Sequence, residues 1–336
     1  MAICKLCQDK EADRKNTHYL TDAIIRSCLN HDGGNIRETG MMFDISNNKN
    51  GIKVRFQRET AITVVEETFG RPATEEEIEE AKKIPFSVDY IFCTSCEAIF
   101  TSIEDDFLKH ILPKLRGHDF KGTTEISFDE DTTIRKFFLL QVYRTAVCDS
   151  GYKISNKFQE VLRALTFSSN MDVAKLAGIP LNVTYLNTVG GDPEYTKNNV
   201  GIADFYGNQI IIFNDFLIQA FEDPKAVKYV DFMGFNDPKT FAYFTNLNEE
   251  KFKFKVIDHD TKVKLWAVYT NEKAEDERRF YRDVFIHAYM SRYGKFPPVP
   301  LLEGFVHEII HGDSVSDESR YSIERIAKIK EQMLNA

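Results

Sequence analysis

Two short cysteine pairs, Cys4 with Cys7 and Cys93 with Cys96, have 85 residues between them. Whatever joins them must fold the first hundred residues back on themselves. A two-residue spacing lets both sulfurs of a pair reach one ion without backbone strain, and two such knuckles supply the four thiolates of a structural zinc site. Cys96 opens a helix-like stretch, and a helix N-terminus favours a thiolate. The spacing therefore predicts one zinc ion held by Cys4, Cys7, Cys93 and Cys96, stapling this part of the chain into a small treble-clef-like module. The competing readings are a redox pair or unrelated buried thiols. Cys28 and Cys148 have no partner at ligand spacing and read as core thiols.

Context favours metal over disulfide. The cysteine knuckle begins at the fourth residue, with no basic segment and no apolar run before it. No secretory signal is expected, and a reducing cytoplasm is the expected compartment. No apolar run approaches the ~20 residues that span a bilayer, so no membrane partner is expected. Of 336 residues, 43% are hydrophobic and 28% charged, an ordinary globular composition with room for two or three domains. The net charge of -9 lacks the field of a strong non-specific nucleic-acid binder, so contact with DNA or RNA would need a local basic patch. The acidic run from Glu75 to Glu80 reads as a solvated helix face.

Along the chain, residues 20–29 look helical and 52–56 alternate like a half-buried strand. Thr74 and Glu77 have capping-box spacing, and that helix must end before Pro85. A strand is expected over 88–92 and a helix over 97–115, with Ile99, Phe100, Ile103 and Phe107 on one side. Residues 117–131 read as a linker or short strand. Two amphipathic helices follow, near 132–147 and 155–167, the second capped by Ser155. Strands are predicted at 181–186, 200–205 and 209–213, the last two joined by a Gly207-Asn208 turn. A further hairpin is expected between 252–257 and 262–269, across Asp258-His259-Asp260-Thr261. Helices near 274–293, 300–311 and 318–334 close the chain. Gly190-Gly191-Asp192-Pro193 reads as a turn, His31 as a turn residue, and Trp266 and Tyr269 as core-filling strand residues.

The strings Cys4-Lys5-Leu6-Cys7, Asn16-Thr17-His18-Tyr19-Leu20 and Phe92-Cys93-Thr94-Ser95-Cys96-Glu97 resemble the zinc-stapled branch of HNH endonucleases. The stretch 134–144 is similar to the helix that follows the zinc module in a divergent bacterial group of that kind. The resemblance covers roughly residues 1–145. It implies that His18 is the general base that deprotonates the attacking water. It also implies a second cation, Mg2+ or Mn2+, that stabilises charge on the leaving oxygen. Thr17 stands where the family has an acidic or histidine metal ligand. Glu97 stands where a histidine often follows the second knuckle, and its carboxylate suits a hard dication. DNA or RNA would be the substrate, in defence against phage or foreign DNA, with a partner protein of a defence system as a further implied contact.

A second motif lies at the other end: His307-Glu308-Ile309-Ile310-His311. On a helix both imidazoles share one face and could hold zinc, with Glu308 as base and Glu318 or Glu324 as third ligand. Against a catalytic site there, Gly312 ends the helix at once and the strands precede it at a distance. Together these readings predict an α+β chain: a zinc-stapled HNH-like module over 1–120, a helical connector over 121–170, and a domain of antiparallel strands and helices over 171–336. The predicted function is an HNH-like phosphodiesterase or a nucleic-acid-binding descendant. The alternatives are a zinc hydrolase at His307 and His311, and a non-catalytic interaction protein that zinc only stabilises.

Overall fold

The computed structural model describes residues 2–26, 41–46, 53–56, 59–116, 120, 122–168, 172–188, 199–205, 207–311 and 323–335. Cys28, His31, the 190–193 turn and Glu318 lie outside them, as does the side chain of Glu324. The N-terminal third runs β1 (Thr17–His18), α1 (Asp22–Arg26), β2 (Met41–Asp44), β3 (Lys53–Phe56), α2 (Ile62–Phe69), α3 (Glu75–Ala81), β4 (Ser87–Val88), α4 (Thr94–His110) and α5 (Leu112–Arg116). Then come β5 (Glu125–Phe128), α6 (Asp131–Cys148), α7 (Asn156–Phe167), α8 (Val173–Ala177), β6 (Leu181–Leu186), β7 (Asn199–Phe205), β8 (Asn208–Phe213) and β9 (Phe216–Ala220). The chain ends with β10 (Thr245–Asn246), β11 (Phe252–Ile257), α9 (His259–Tyr293), α10 (Val299–His311) and α11 (Ile323–Leu334).

The architecture is α+β, built on one mixed sheet. Its main path is β3-β2-β7-β8-β9-β6-β11-β5, and β10 pairs with β6 beside it. The β2–β7 and β6–β11 pairs are parallel and the others antiparallel. Both faces are covered, which explains the unbroken apolar run in β8. Ile211 and Phe213 point into a core shared with α4, α6 and α7. Ile210 and Ile212 point the other way, toward Phe232, Phe235, Trp266 and Tyr269. On the first face Phe107 stacks on Phe137 with centroids 3.9 Å apart, and Phe138 meets Phe216 edge-on.

Local sequence rules account for most element ends. The Ser155 hydroxyl accepts from the Phe158 N–H at 3.0 Å and starts α7. Thr74 and Glu77 form the reciprocal capping box at 3.2 and 2.8 Å. Gly207, at φ 83°, makes the β7–β8 turn that its sequence predicts. The helix expected over 97–115 is broken at Ile111, because Pro113 has no N–H for the Lys109 carbonyl. The strand expected over 88–92 is only Ser87–Val88, paired antiparallel with β1.

Two expectations need correction. Residues 262–269 are not a strand: they belong to α9, a helix of 35 residues. The polar string before them is its start, where the Asp258 carboxylate accepts from the Thr261 N–H at 2.8 Å. Strand β11 instead pairs with β5 and β6. Helix α6 is not amphipathic: from Ile134 to Thr145 every side chain is buried except half-buried Lys136. It is the central helix, and Arg135, Gln141, Tyr143 and Arg144 on it each find an internal partner. The Arg135 guanidinium donates to Asp131 and to the Ile179 carbonyl, both at 2.8 Å.

Helix α9 links two cores. Its first half buries Trp266 and Tyr269 against the sheet, and its second half packs Tyr281, Phe285 and Tyr289 against α10 and α11. At its start, buried Lys262 donates to the Thr188 hydroxyl at 2.9 Å. Thr188 donates to Asp215, which also accepts from Arg116 Nε at 2.8 Å. This chain of contacts ties α5, β6 and the β8–β9 turn to α9. No described helix is long and apolar enough to cross a membrane.

Candidate metal centre

The N-terminal knuckle is a tight turn. The Cys4 N–H donates to Lys10 O at 2.8 Å, and the Gln8 N–H to Cys4 O at 2.9 Å. Two core helices hold it from behind: Tyr143 donates to the Lys5 carbonyl at 2.8 Å and Arg163 to the Leu6 carbonyl at 2.7 Å. The Lys5 N–H reaches Ile91 O at 3.0 Å, joining the first knuckle to the segment that leads into the second.

The four sulfurs of Cys4, Cys7, Cys93 and Cys96 lie within 4.8 Å of one another. Cys7 and Cys93 Sγ are 4.0 Å apart. Thiolates at about 2.3 Å from a tetrahedral zinc would stand roughly 3.8 Å apart, so the cluster fits that ion with a small contraction. The Cys93 N–H points at Cys4 Sγ at 3.3 Å, a common way of supporting a metal-bound sulfur. Among the described residues this is the one group of three or more histidine, cysteine and acidic side chains close enough to hold a metal.

Electrostatics set Cys7 apart from Cys93 and Cys96. Burial works against ionisation of Cys7, but the N–H groups of Lys10 and Asp9, with Cys4 and Cys96, outweigh it and bring its pKa to about 7. Burial pushes Cys93 and Cys96 up. A cation must therefore displace protons from the second knuckle as it binds. Cys148 packs against the main core, and burial raises it to about 12, which leaves it an inert thiol.

Committing Cys93 to the cluster has a local cost. It is the N-cap residue of α4, yet its side chain makes no capping bond. Asp13 replaces it from the other knuckle: its Oδ1 accepts from the Thr94 N–H at 2.7 Å and the Thr94 hydroxyl at 3.2 Å. That contact with the N–H is also the main reason the Asp13 carboxyl sits below its usual range.

A polar network continues from the cluster between β1, α4 and α6. The Thr17 hydroxyl donates to Glu97 Oε1 at 3.0 Å. Glu104, seven residues on and on the same face of α4, accepts from the Thr21 hydroxyl and from Arg144, both at 2.7 Å. Arg144 is buried, its guanidinium 5.1 Å from the Phe100 ring centre. His18 Nε2 lies 3.6 Å from Asp22 Oδ1, and Asp22 also pairs with Arg26. Burial holds the His18 imidazole below its ordinary value, with Asp22 resisting and Arg144 reinforcing the shift. Burial pushes the Glu97 carboxyl up against the pull of Arg144 and Thr17. Sequence reading singled out His18 and Glu97 but missed Asp22, Glu104 and Arg144. The seven-residue spacing of Glu97 and Glu104 was the available signal; Arg144 was hidden at the end of an apolar run.

The C-terminal motif is arranged differently. His307 and His311 are exposed on α10, their ring centroids 5.2 Å apart. Arg325 of α11 donates to the Glu308 carbonyl at 2.7 Å. No described acidic side chain joins the two imidazoles to complete a ligand set. No protein-family model, curated protein or solved structure matches this chain.

Proposed function

We propose that the chain is a zinc-stapled, HNH-like phosphodiesterase acting on DNA or RNA. The observation that carries this reading is the order of elements around the cysteines. Strand β1, with His18, pairs antiparallel with β4. The second knuckle and α4, with Glu97, follow directly. A knuckle, a short antiparallel strand pair and a helix beside four cysteines support a treble-clef reading, and Thr17 touches Glu97 across them.

In this reading zinc is structural and His18 is the base. With its pKa depressed, His18 is neutral near pH 7 and able to take a proton from water, which then attacks phosphorus. Bound Mg2+ or Mn2+, with Glu97 as a carboxylate ligand, supplies charge stabilisation at the leaving oxygen; such ions take their remaining ligands from water and phosphate. Arg14, exposed and near enough to Glu97 to favour its ionised form, offers a phosphate contact on an otherwise acidic chain. Phage or foreign DNA is the substrate we assign within a bacterial defence role, alongside a partner protein of that system.

A second reading, zinc as a fold staple without catalysis, draws support from the Thr17 hydroxyl that already occupies Glu97 Oε1. Cleavage of plasmid DNA and of RNA with Mg2+ or Mn2+ separates the two. Wild type should cut, and His18→Ala should lose about 10²–10⁴-fold in rate while keeping its zinc. An inactive wild type would leave only the staple, and a variant as active as wild type would remove His18 from the reaction.

A further inference from the structure

We propose that the cleft between α4, α6, α7 and α8 binds a small amphipathic anion, an aliphatic chain ending in a carboxylate. The cleft has a volume of about 380 Å³, within the usual range for small-molecule sites. Its walls are Ile99 and Ile103 of α4, Leu139 of α6, Leu162 and Leu165 of α7 and Leu176 of α8. Lys136 is the one charged residue among them.

The state of Lys136 selects the ligand. It is the half-buried residue on a helix otherwise buried around it. No described residue accepts a hydrogen bond from its ammonium or pairs with it. The carboxylates nearby are engaged elsewhere. Beyond Ser102 and Lys136 the cleft opens into a polar lobe that contains Asp105 and Asp106. Asp105 pairs with Lys109 at 2.9 Å. Asp106 accepts from the Thr133 hydroxyl at 2.8 Å and contacts the His110 ring at 2.9 Å. An ammonium without a counter-ion among the described residues, at the rim of an aliphatic cleft, favours a ligand whose tail leaves water while its anionic end stays at the mouth. A cationic amphiphile would meet like charge there, and a neutral one would leave Lys136 as it is.

Calorimetric titration of the zinc-loaded 336-residue chain with octanoate, 1-octanol and octylammonium tests this. Octanoate should bind at one site, up to about fivefold more tightly than octanol, the upper end of what one partly exposed ion pair contributes. Octylammonium should bind most weakly. Lys136→Met keeps the apolar stem and should abolish the preference for octanoate while leaving octanol binding intact. Ser102→Trp, an exposed change at the rim, should remove binding of both. The proposal is overturned if octanoate does not bind, if binding survives Ser102→Trp, or if the preference survives Lys136→Met. Octanol binding as tightly as octanoate in wild type would also overturn it, and would make the cleft a seat for a neutral apolar group.

Discussion

The two ends of the chain each carry a motif with zinc-ligand spacing, and folding treats them in opposite ways. At the N-terminus, two pairs separated by 86 residues converge until Cys7 and Cys93 sulfurs are 4.0 Å apart, with three of the four cysteines buried. At the C-terminus, His307 and His311 lie one helical turn apart on an exposed face, with no third described ligand turned toward them. Helical periodicity alone brings a His-x-x-x-His pair together, so its closeness says little. Nothing local brings Cys7 to Cys93. Convergence of distant residues is the stronger evidence for a site, because the whole module has to be arranged to achieve it.

The largest effect that would sharpen this contrast is loss of a cysteine. Cys93→Ser should lower the zinc content from one per chain toward zero and destabilise the N-terminal module by about 4 kcal/mol or more, since metal binding there is folding energy. Unchanged zinc content and melting temperature would break the four-cysteine assignment. Next, Phe285→Ala should cost about 3–5 kcal/mol in the C-terminal helices, where Phe285 is fully buried and stacks on Phe305 at 4.6 Å. Zinc content should not change, because the two cores share no residue. A coupled loss of metal would show that the two ends are not energetically separate.

A smaller effect is pH-dependent. Burial depresses the folded-state pKa of His18 below its unfolded value of 6.5. Its contribution to stability is therefore fully present above about pH 6.5 and is lost as pH falls toward the depressed value. The groups around it are Asp22, Glu104, Arg26 and Arg144. Melting curves at pH 7.5 and 5.5 should show wild type losing more stability than His18→Asn. Equal losses would show that folding does not depress the His18 pKa. The smallest effect belongs to the C-terminal pair. Replacing both His307 and His311 by Ala should leave zinc content unchanged and alter stability by no more than about 0.5 kcal/mol. A second zinc per wild-type chain, removed by that double change, would reverse the comparison.

Sequence reading was most reliable where the cause of a structure lies within a few residues. Ser155 as a cap, the Gly207-Asn208 turn and the Thr74 capping box need only their neighbours. The cysteine cluster was legible because zinc chemistry supplies the missing long-range rule. Residues 262–269 read as a strand because the polar string Asp258-His259-Asp260-Thr261 before them has the composition of a hairpin turn, and Trp266 and Tyr269 then read as core-filling strand residues. In fact Lys262, Trp266 and Tyr269 share one helical face, and Lys262 is buried because Thr188 and the Asn214 carbonyl receive its ammonium. Those partners are 74 and 48 residues away. The parallel β6–β11 and β2–β7 pairings depend in the same way on tertiary contacts that no local pattern encodes.

The 86-residue separation of the two knuckles also sets a schedule during synthesis. At about 5–20 residues per second, Cys4 and Cys7 leave the ribosome roughly 4–17 s before Cys93 and Cys96. For that interval the nascent chain presents only the two-cysteine half of the site. Two sulfurs hold zinc far more weakly than four, so capture before completion is reversible and the ion is secured only when the second knuckle arrives. Oxidants and competing soft metals have their best access to the first pair during those seconds. If the four cysteines hold zinc, translation speed across residues 8–92 is a handle on how much of the protein matures with that ion.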